Sequence, residues 1–472
     1  MKITLIMPRA KRIAKKGTRL RIPPFGLTMV AALTPKEFVV SIVDENVRDL
    51  DFSDPADLVG ISSFTSNVER GYEIADEYRR RGIAVVMGGF HVTALPEEAL
   101  QHADAVVVGE AESVWPRVLE DFKRGAMKGV YQAGCFHDMK GLPRPRLDLL
   151  PQEGWYIVTQ MVQTMRGCPY RCEFCSTSSF WGHTFRTRPV DEVIEEIRRM
   201  DRNKLVMFVD DDIAGVPQVA KELFEKLIPL RIKWASQAGI GIARDDELLA
   251  LARKSGCQFL FIGLESMDDK TLQAAHKYQN NPKLYKELIK KIHDHHIVLQ
   301  GAFVLGLDED RADVFQRVDQ LIQEAEIDTI NVNILYPYPG TEIRERLRRE
   351  GRLTGNDWSN YVYAGVNYVP KNMTQQELYD GFCWLMKKNT AYPMILKRTL
   401  RSILQGRNIE LTAALNVGTR KNYKQAVASP DPIMFPHPAA EAGGAKPGDR
   451  RSRETELSGP FCPPGLKRNV SS

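Results

Sequence analysis

Short apolar runs recur along the first part of the chain, separated by segments whose apolar residues fall at helical spacing. The runs at 2–7, 39–43, 58–62, 84–87 and 105–108 predict buried strands. Residues 67–80 and 96–102, each with a charged face, predict helices between them. Strands alternating with helices predict a Rossmann-like, doubly wound parallel sheet over residues 1–130. A stretch broken by Gly141, Pro143 and Pro145 predicts a linker at 131–155. A second alternation then begins. Strands are predicted at 156–165, 205–210, 233–239, 259–264, 298–305 and 329–335, and helices at 190–200, 219–227, 245–254, 281–293 and 312–324. This second α/β unit covers 156–350. Helices at 375–388 and 392–404 predict a helical C-terminal domain over 351–410, which also carries Trp358, Tyr361, Tyr363 and Tyr368. Pro, Gly, Ala and charged residues dominate 428–472, which predicts a disordered tail.

Ligands on doubly wound sheets sit at the carboxyl ends of the strands. Those ends carry Ser62, Ser63 and Thr65 after the third run, Gly88, Gly89 and His91 after the fourth, and Gly109 and Glu110 after the fifth. Glycine admits a ligand close to the backbone and hydroxyls supply hydrogen bonds.

Composition narrows the class without naming it. The 472 residues are 43% hydrophobic and 26% charged, which is ordinary for a soluble protein of two or three domains. A net charge of +5, with no basic stripe interleaved with aromatics, argues against nucleic acid. Seven cysteines, several of them clustered, do not make a disulfide scaffold and predict a reducing, cytoplasmic setting. No apolar stretch is long enough for a transmembrane segment. Lys397, Arg398 and Arg401 beside Ile395, Leu400 and Leu404 make a basic amphipathic helix. A solvated helix is its simplest reading, with peripheral membrane contact or an acidic substrate as the alternatives. His293, His295 and His296 read as a polar helix end.

The candidate chemistry centres on Cys168, Cys172 and Cys175, spaced Cys-x₃-Cys-x₂-Cys. A zinc site normally wants four ligands in separated pairs, and ferredoxin runs have a fourth cysteine nearby. Here the next cysteine is Cys257. Three thiolates on a four-iron cluster leave one iron open to a substrate or cofactor, which favours catalysis over plain electron transfer.

The loop from Met165 to Phe180, with Arg166-Gly167, Pro169-Tyr170 and Phe174 around the cysteines, resembles the signature of the radical S-adenosylmethionine (radical SAM) superfamily. The resemblance implies a 4Fe–4S cluster on the three cysteines, with S-adenosylmethionine chelating the open iron. One electron from an external flavodoxin- or ferredoxin-type reductant would cleave it to a 5′-deoxyadenosyl radical. The resemblance further implies that the six β/α units form a partial (β/α)₆ TIM-like barrel, and it suggests cofactor contacts. Phe174 would lie beside the cluster. Asp210, first of Asp210-Asp211-Asp212 where relatives have Gly-Gly-Glu, would meet the amino group, although three acids in a row also suit a divalent metal or a helix cap. Ser236, with Gln237, would reach the carboxylate or ribose. Gly263 and Glu265 of Gly-Leu-Glu-Ser would meet the ribose, and the stretch 301–306, with Leu305, would run along the adenine.

The first domain resembles the cobalamin-binding domain of one radical SAM class. Ile61-Ser62-Ser63-Phe64-Thr65, Gly88-Gly89-Phe90-His91-Val92-Thr93 and Val108-Gly109-Glu110-Ala111-Glu112 carry the likeness. The Asp-x-His-x-x-Gly motif is absent from residues 8–17, so the resemblance implies cobalamin without a histidine lower ligand. The C-terminal helices resemble the extension of members that include hopanoid-acting enzymes, which can cap the open side of the barrel. Together these imply an enzyme that moves a methyl group from methylcobalamin to an unactivated carbon of a small-molecule or lipid-like substrate. A radical rearrangement or cyclisation with cobalamin used otherwise or absent is the alternative. An iron–sulfur electron-transfer or sensor protein is the alternative outside enzymes.

Overall fold

The computed structural model describes residues 1–12, 21–151, 154–355, 357–362 and 364–427. The tail from 428, Tyr363 and positions 13–17 of the first loop lie outside the described residues. Strands β1 (Lys2–Met7), β2 (Val39–Asp44), β3 (Leu58–Ser62), β4 (Ala84–Gly88), β5 (Ala105–Val108) and β6 (Gly129–Gln132) form one parallel sheet in the order β2-β1-β3-β4-β5-β6. Its strands are apolar at nearly every position because both faces are covered. Ile3, Leu5 and Val86 pack toward the helices Phe25–Leu33 and Trp115–Lys123. Ile6, Ile61 and Met87 pack toward the helix Val68–Arg80. Strand β6 extends the sheet beyond the five predicted strands. It buries only Tyr131, so it carries no apolar run to read.

The second series departs from expectation at its first strand. The predicted strand 156–165 is divided into β7 (Gln160–Val162) and β8 (Met165–Arg166). The buried Asp210 carboxylate accepts the Thr164 and Met165 N–H groups at 2.7 and 2.9 Å, which takes the chain off the sheet there. Strand β8 instead pairs antiparallel with β9 (Arg186–Thr187). The sheet continues with β10 (Leu205–Phe208), β11 (Lys233–Ala238), β12 (Cys257–Glu265), β13 (Val298–Leu305) and β14 (Thr329–Ile334). Its order is β7-β10-β11-β12-β13-β14 and every pair is parallel. Amphipathic helices cover one face in a single large apolar core.

The C-terminal helices Gln375–Asn389, Tyr392–Leu404 and Ile409–Val427 follow. The first begins beside Gly306, just past the carboxyl end of β13, where Leu378 packs. Leu411 and Leu415 pack against Ala235, Phe259 and Val298, near the amino ends of β11, β12 and β13. The helix Tyr392–Leu404 is turned inside out relative to a simple amphipathic reading. Arg398 is buried, with its guanidinium on the Asn389 carbonyl (2.7 Å) and Asn416 Oδ1 (3.1 Å), while Leu400 and Leu404 face outward. His293 and His296 have separate partners: Asp328 at 3.1 Å for the first, the Gln405 carbonyl at 2.8 Å for the second. Ahead of these helices, Trp358 and Tyr361 join Tyr336 and Tyr338 against the first domain, which ties the two sheets together.

Candidate functional site

The carboxyl ends of both sheets open onto one cavity of about 680 Å³. From the first sheet it is lined by Ser62, Gly88, Gly89, Gly109 and Glu110, and from the second by Met161, Gln163, Met207, Val209, Asp211 and Gln237. Phe64, Phe90, Phe180 and Trp181 form an aromatic wall between them, with Phe90 stacked on Phe180 at 4.2 Å. A deeper arm is apolar, between Leu27, Met29, Leu33, Val86 and Trp115. Gly89 sits at φ +102°, and a Cβ there would come within 2.6 Å of the Ser63 carbonyl oxygen. Only glycine fits that turn.

Strand geometry separates the residues named from sequence. Ser62 faces the cavity, whereas Ser63, Thr65 and His91 do not line it. Ser63 is buried against Gly71 of the helix Val68–Arg80. His91 is corrected outright: its Nδ1 meets Thr65 Oγ1 and its Nε2 meets Glu98 Oε1, both at 3.2 Å, and its ring abuts Trp358. It is a packed, hydrogen-bonded residue of the domain joint.

The three cysteines lie on a loop pinned at both ends. Gly167, at φ +86°, admits no side chain, because a Cβ would fall 2.1 Å from the Thr184 carbonyl oxygen. The Cys168 N–H donates to the Gly182 carbonyl (3.3 Å) and the Cys175 N–H to that of Cys172 (3.0 Å). Glu173 donates its N–H to the Ala275 carbonyl, accepts the Ile343 N–H on its own, and pairs with Arg346 at 3.0 Å. Arg346 also pairs with Asp308. All three thiols are free of disulfides. Burial, with the other two cysteines adding to it, pushes the Cys168 thiol up to about 12. Burial likewise raises Cys172, with Cys175 contributing. Three thiolates on one loop would repel one another unless a cation joins them, which is the condition an iron–sulfur cluster meets. Phe174 is half-buried against the core behind the second sheet.

The carboxylates are redistributed. Asp210 is fully buried, and both its oxygens accept hydrogen bonds from Thr164 or Met165. Asp211 is the one that lines the cavity; burial and then the neighbouring Asp210 push it up to about 7. Ser236 is likewise engaged, its hydroxyl donating to the Phe208 carbonyl at 3.2 Å, and its neighbour Gln237 lines the cavity instead. Leu305 is buried in the helix-side core. Glu265 sits at a bulge at the end of β12 with φ +66°, a conformation costing on the order of 1–2 kcal/mol for a residue with a Cβ. Its carboxylate pairs with Lys277 at 3.0 Å. Burial works against the Lys277 charge, but Glu265 first and then Cys172 and Cys175 more than offset it, which places this pair beside the cysteine loop. Gly263 belongs to the same corner: a Cβ there would meet Glu265 Oε1 at 2.3 Å. Lys277 was not legible in advance, since nothing in its sequence context marks it.

A buried ion cluster joins the two domains. Arg166 pairs with Glu110 at 3.1 Å and Glu112 at 2.5 Å, and stacks over Trp181 at 4.6 Å. Arg186 pairs with Glu110 at 2.7 Å. Glu110 therefore lines the cavity but is held by two arginines of the strand pair β8/β9.

Comparison with known proteins fits this layout. The model of the Radical SAM superfamily matches residues 162–321, and that of the B12 binding domain matches residues 14–119. The chain is 31% identical over 405 residues to a bacteriochlorophyllide d C-12(1)-methyltransferase of Chlorobaculum tepidum, covering 84% of this chain and 88% of the relative. The chain belongs to the radical SAM superfamily, in its B12-binding class. A hopanoid C-2 methylase of Rhodopseudomonas palustris is 29% identical, over 71% of this chain and 66% of its own. The fold is shared with the radical SAM methyltransferase TsrM of Kitasatospora setae, solved with cobalamin and a [4Fe-4S] cluster, at a TM-score of 0.62 and 16% identity over 81% of this chain and 85% of that one.

A radical SAM enzyme of this class works with a 4Fe–4S cluster, S-adenosylmethionine and cobalamin. The residues present suit that set. The three thiols share one braced loop, and Gly88, Gly89 and Gly109 leave the strand-end backbone of the first sheet open to the cavity beside its apolar arm. No histidine is among the described residues lining the cavity.

Proposed function

We propose that the chain catalyses cobalamin-dependent radical methyl transfer from S-adenosylmethionine to an unactivated carbon of an apolar, polycyclic small-molecule or lipid-like substrate. The observation that carries this is the single cavity shared by the carboxyl ends of the cobalamin-type sheet and the radical SAM sheet. Bacteriochlorophyllide d and hopanoids, which the relatives' names give as their substrates, are both polycyclic and largely apolar, and we extend that class to this chain. When bound, the cluster with S-adenosylmethionine supplies a carbon radical, and cobalamin supplies the methyl group.

The chain's own groups have separable tasks in this reading. Cys168, Cys172 and Cys175 hold the cluster as thiolates, and the Glu173–Arg346 pair fixes the loop between them. Asp211 and Gln237 face the cavity and offer polar contacts to S-adenosylmethionine, in place of Asp210 and Ser236. Glu265, aimed by its bulge and held by Lys277, serves the ribose hydroxyls. Ser62, Gly88, Gly89 and Gly109 would receive cobalamin, beside the apolar arm. The aromatic wall excludes water from the radical. Glu110 and Glu112, through Arg166, fix the distance between the two cofactor sites. An external one-electron reductant is required.

Anaerobic reconstitution with iron, sulfide and hydroxocobalamin tests the reading, followed by dithionite and S-adenosylmethionine. Retained cobalamin together with 5′-deoxyadenosine and S-adenosylhomocysteine supports methyl transfer. The nucleoside without cobalamin would move the reading to a radical rearrangement or cyclisation.

A further inference from the structure

The helix Tyr392–Leu404 turns its apolar face to the outside. Tyr392, Leu396, Leu400, Ile403 and Leu404 are 67, 59, 50, 50 and 86% exposed. At about 100° per residue these positions share roughly a third of the helix circumference. The opposite face is polar and buried. Arg398 holds Asn389 and Asn416, Arg401 donates to the Glu326 carbonyl at 2.6 Å, and Ser402 donates to Thr412 at 3.0 Å. These partners fix the helix orientation, so the stripe cannot turn inward without breaking buried bonds.

The segment that carries the stripe is mostly basic. Residues 381–427 carry nine Lys or Arg and a single acid, Glu410. The arginines are engaged: Arg407 on Asp328 at 2.9 Å, Arg401 near Glu326, and Arg420 on the Thr390 carbonyl at 2.7 Å. The exposed cations are lysines, namely Lys387, Lys397, Lys421 and Lys424, while Lys388 pairs with Asp319 at 2.8 Å. Trp384 is exposed beside Lys388.

We propose that this face docks on an anionic phospholipid bilayer, with the apolar stripe in the headgroup boundary and the lysines on lipid phosphates. Leucines and aromatics flanked by lysines are the chemistry of a helix lying in a membrane interface. A second copy seated on the same face would set lysine rim against lysine rim, with almost no acid to neutralise them. No described helix is long and apolar enough to cross a membrane, so the contact is peripheral. The helix Ile409–Val427, against which the helix Tyr392–Leu404 packs, lies toward the amino ends of the second sheet's strands, whereas the cavity opens at their carboxyl ends. Docking therefore leaves the cavity free for substrate and reductant, and the inference does not depend on which reaction runs there.

Co-sedimentation of the full-length protein with phosphatidylcholine vesicles, with and without about a third phosphatidylglycerol, tests this. Binding to the anionic vesicles that weakens with added salt is expected. The variant Leu396→Glu/Leu400→Glu/Leu404→Glu should bind at least roughly tenfold more weakly. The variant Lys387→Glu/Lys397→Glu/Lys421→Glu, which spares the stripe, should lose several-fold and become insensitive to lipid charge. Both should retain cobalamin and cluster like the parent, which separates lost docking from lost folding. No binding by the parent, or equal binding by both variants, overturns the proposal. So does a parent dimer that ignores vesicles and is split by the leucine variant, which would assign the face to a second copy.

Discussion

Replacing Arg166 with Met removes a charge from the joint between the two cofactor-binding sheets while keeping much of its bulk. The Arg166 and Glu112 side chains are 2% and 6% exposed and 2.5 Å apart. In the variant Glu110 keeps Arg186, but Glu112 has no second ion pair among the described residues. Burial pushes the Glu112 carboxyl up and Arg166 more than reverses this, so the wild-type group sits below its ordinary value. Without the arginine, two routes are open. Staying charged in a dry joint costs several kcal/mol. Taking up a proton near neutral pH costs about 3 kcal/mol, from an ordinary pKa of 4.5 at roughly 1.4 kcal/mol per unit. Protonation sets the ceiling, and the lost stacking over Trp181 adds about 1 kcal/mol. A loss of about 3–4 kcal/mol is expected, in line with other broken buried pairs.

The sign with pH identifies the cause. In the variant the folded pKa of Glu112 lies above its unfolded value. Its contribution is then most favourable below that value and is lost as pH rises. In the wild type the folded pKa is depressed, so stability from the pair is present at neutral pH and lost on acidification. The two stabilities should converge as pH falls, by about 1.4 kcal/mol per unit below neutrality. Urea unfolding followed by tryptophan fluorescence at several pH values measures this, with Trp181 as a local reporter. A second substitution, Glu112→Gln, should recover most of the loss. A deficit that ignores pH, or a double variant no more stable than Arg166→Met, refutes the charge argument.

Further outcomes follow from the same geometry. Gly89→Ala places a Cβ against the Ser63 carbonyl in a left-handed turn costing about 1–2 kcal/mol, so cobalamin retained after desalting should fall at least tenfold with far-ultraviolet circular dichroism unchanged. Cys172→Ala should leave reconstituted protein short of iron and unable to form 5′-deoxyadenosine; full activity would remove the loop from the site. Asp310 accepts the Gly306 and Leu307 N–H groups and is raised by burial to about 7. Its folded value exceeds its unfolded one, so wild-type stability should decline as pH rises through about 7. Asp310→Asn can still accept both bonds and should flatten that slope; equal slopes would show that Asp310 does not titrate there.

Fold and class were legible because they rest on long-period features. Strands apolar at nearly every position mark a sheet covered on both faces, and the alternation with helices marks it parallel. The exceptions have local causes. The strand 156–165 divides because a carboxylate 45 residues on, Asp210, takes two of its N–H groups, and no local pattern announces that partner. The helix Ile409–Val427 went unread because its inward face mixes Leu411 and Leu415 with the buried polar groups Thr412 and Asn416.

Within the site, the difficulty was direction. Neighbouring residues on a strand face opposite ways, so a motif that names a short stretch leaves open which member reaches the ligand. Ser62 and not Ser63, Asp211 and not Asp210, and Gln237 and not Ser236 line the cavity; each is a one-residue displacement within a correctly placed strand end. The displaced members are not idle. Asp210 sets where β7 stops, Ser236 bonds the neighbouring strand β10, and His91 locks the joint to Trp358. A buried polar residue at a strand end therefore has two physical justifications, a ligand or an internal partner, and sequence distinguishes them only when parity is known. The Arg166 cluster carries this furthest. Its arginine lies two residues before Cys168 and its acids follow β5, so the pairing depends on two domains meeting. That meeting places Arg166, just ahead of the thiol loop, and the cobalamin-type sheet on one cavity.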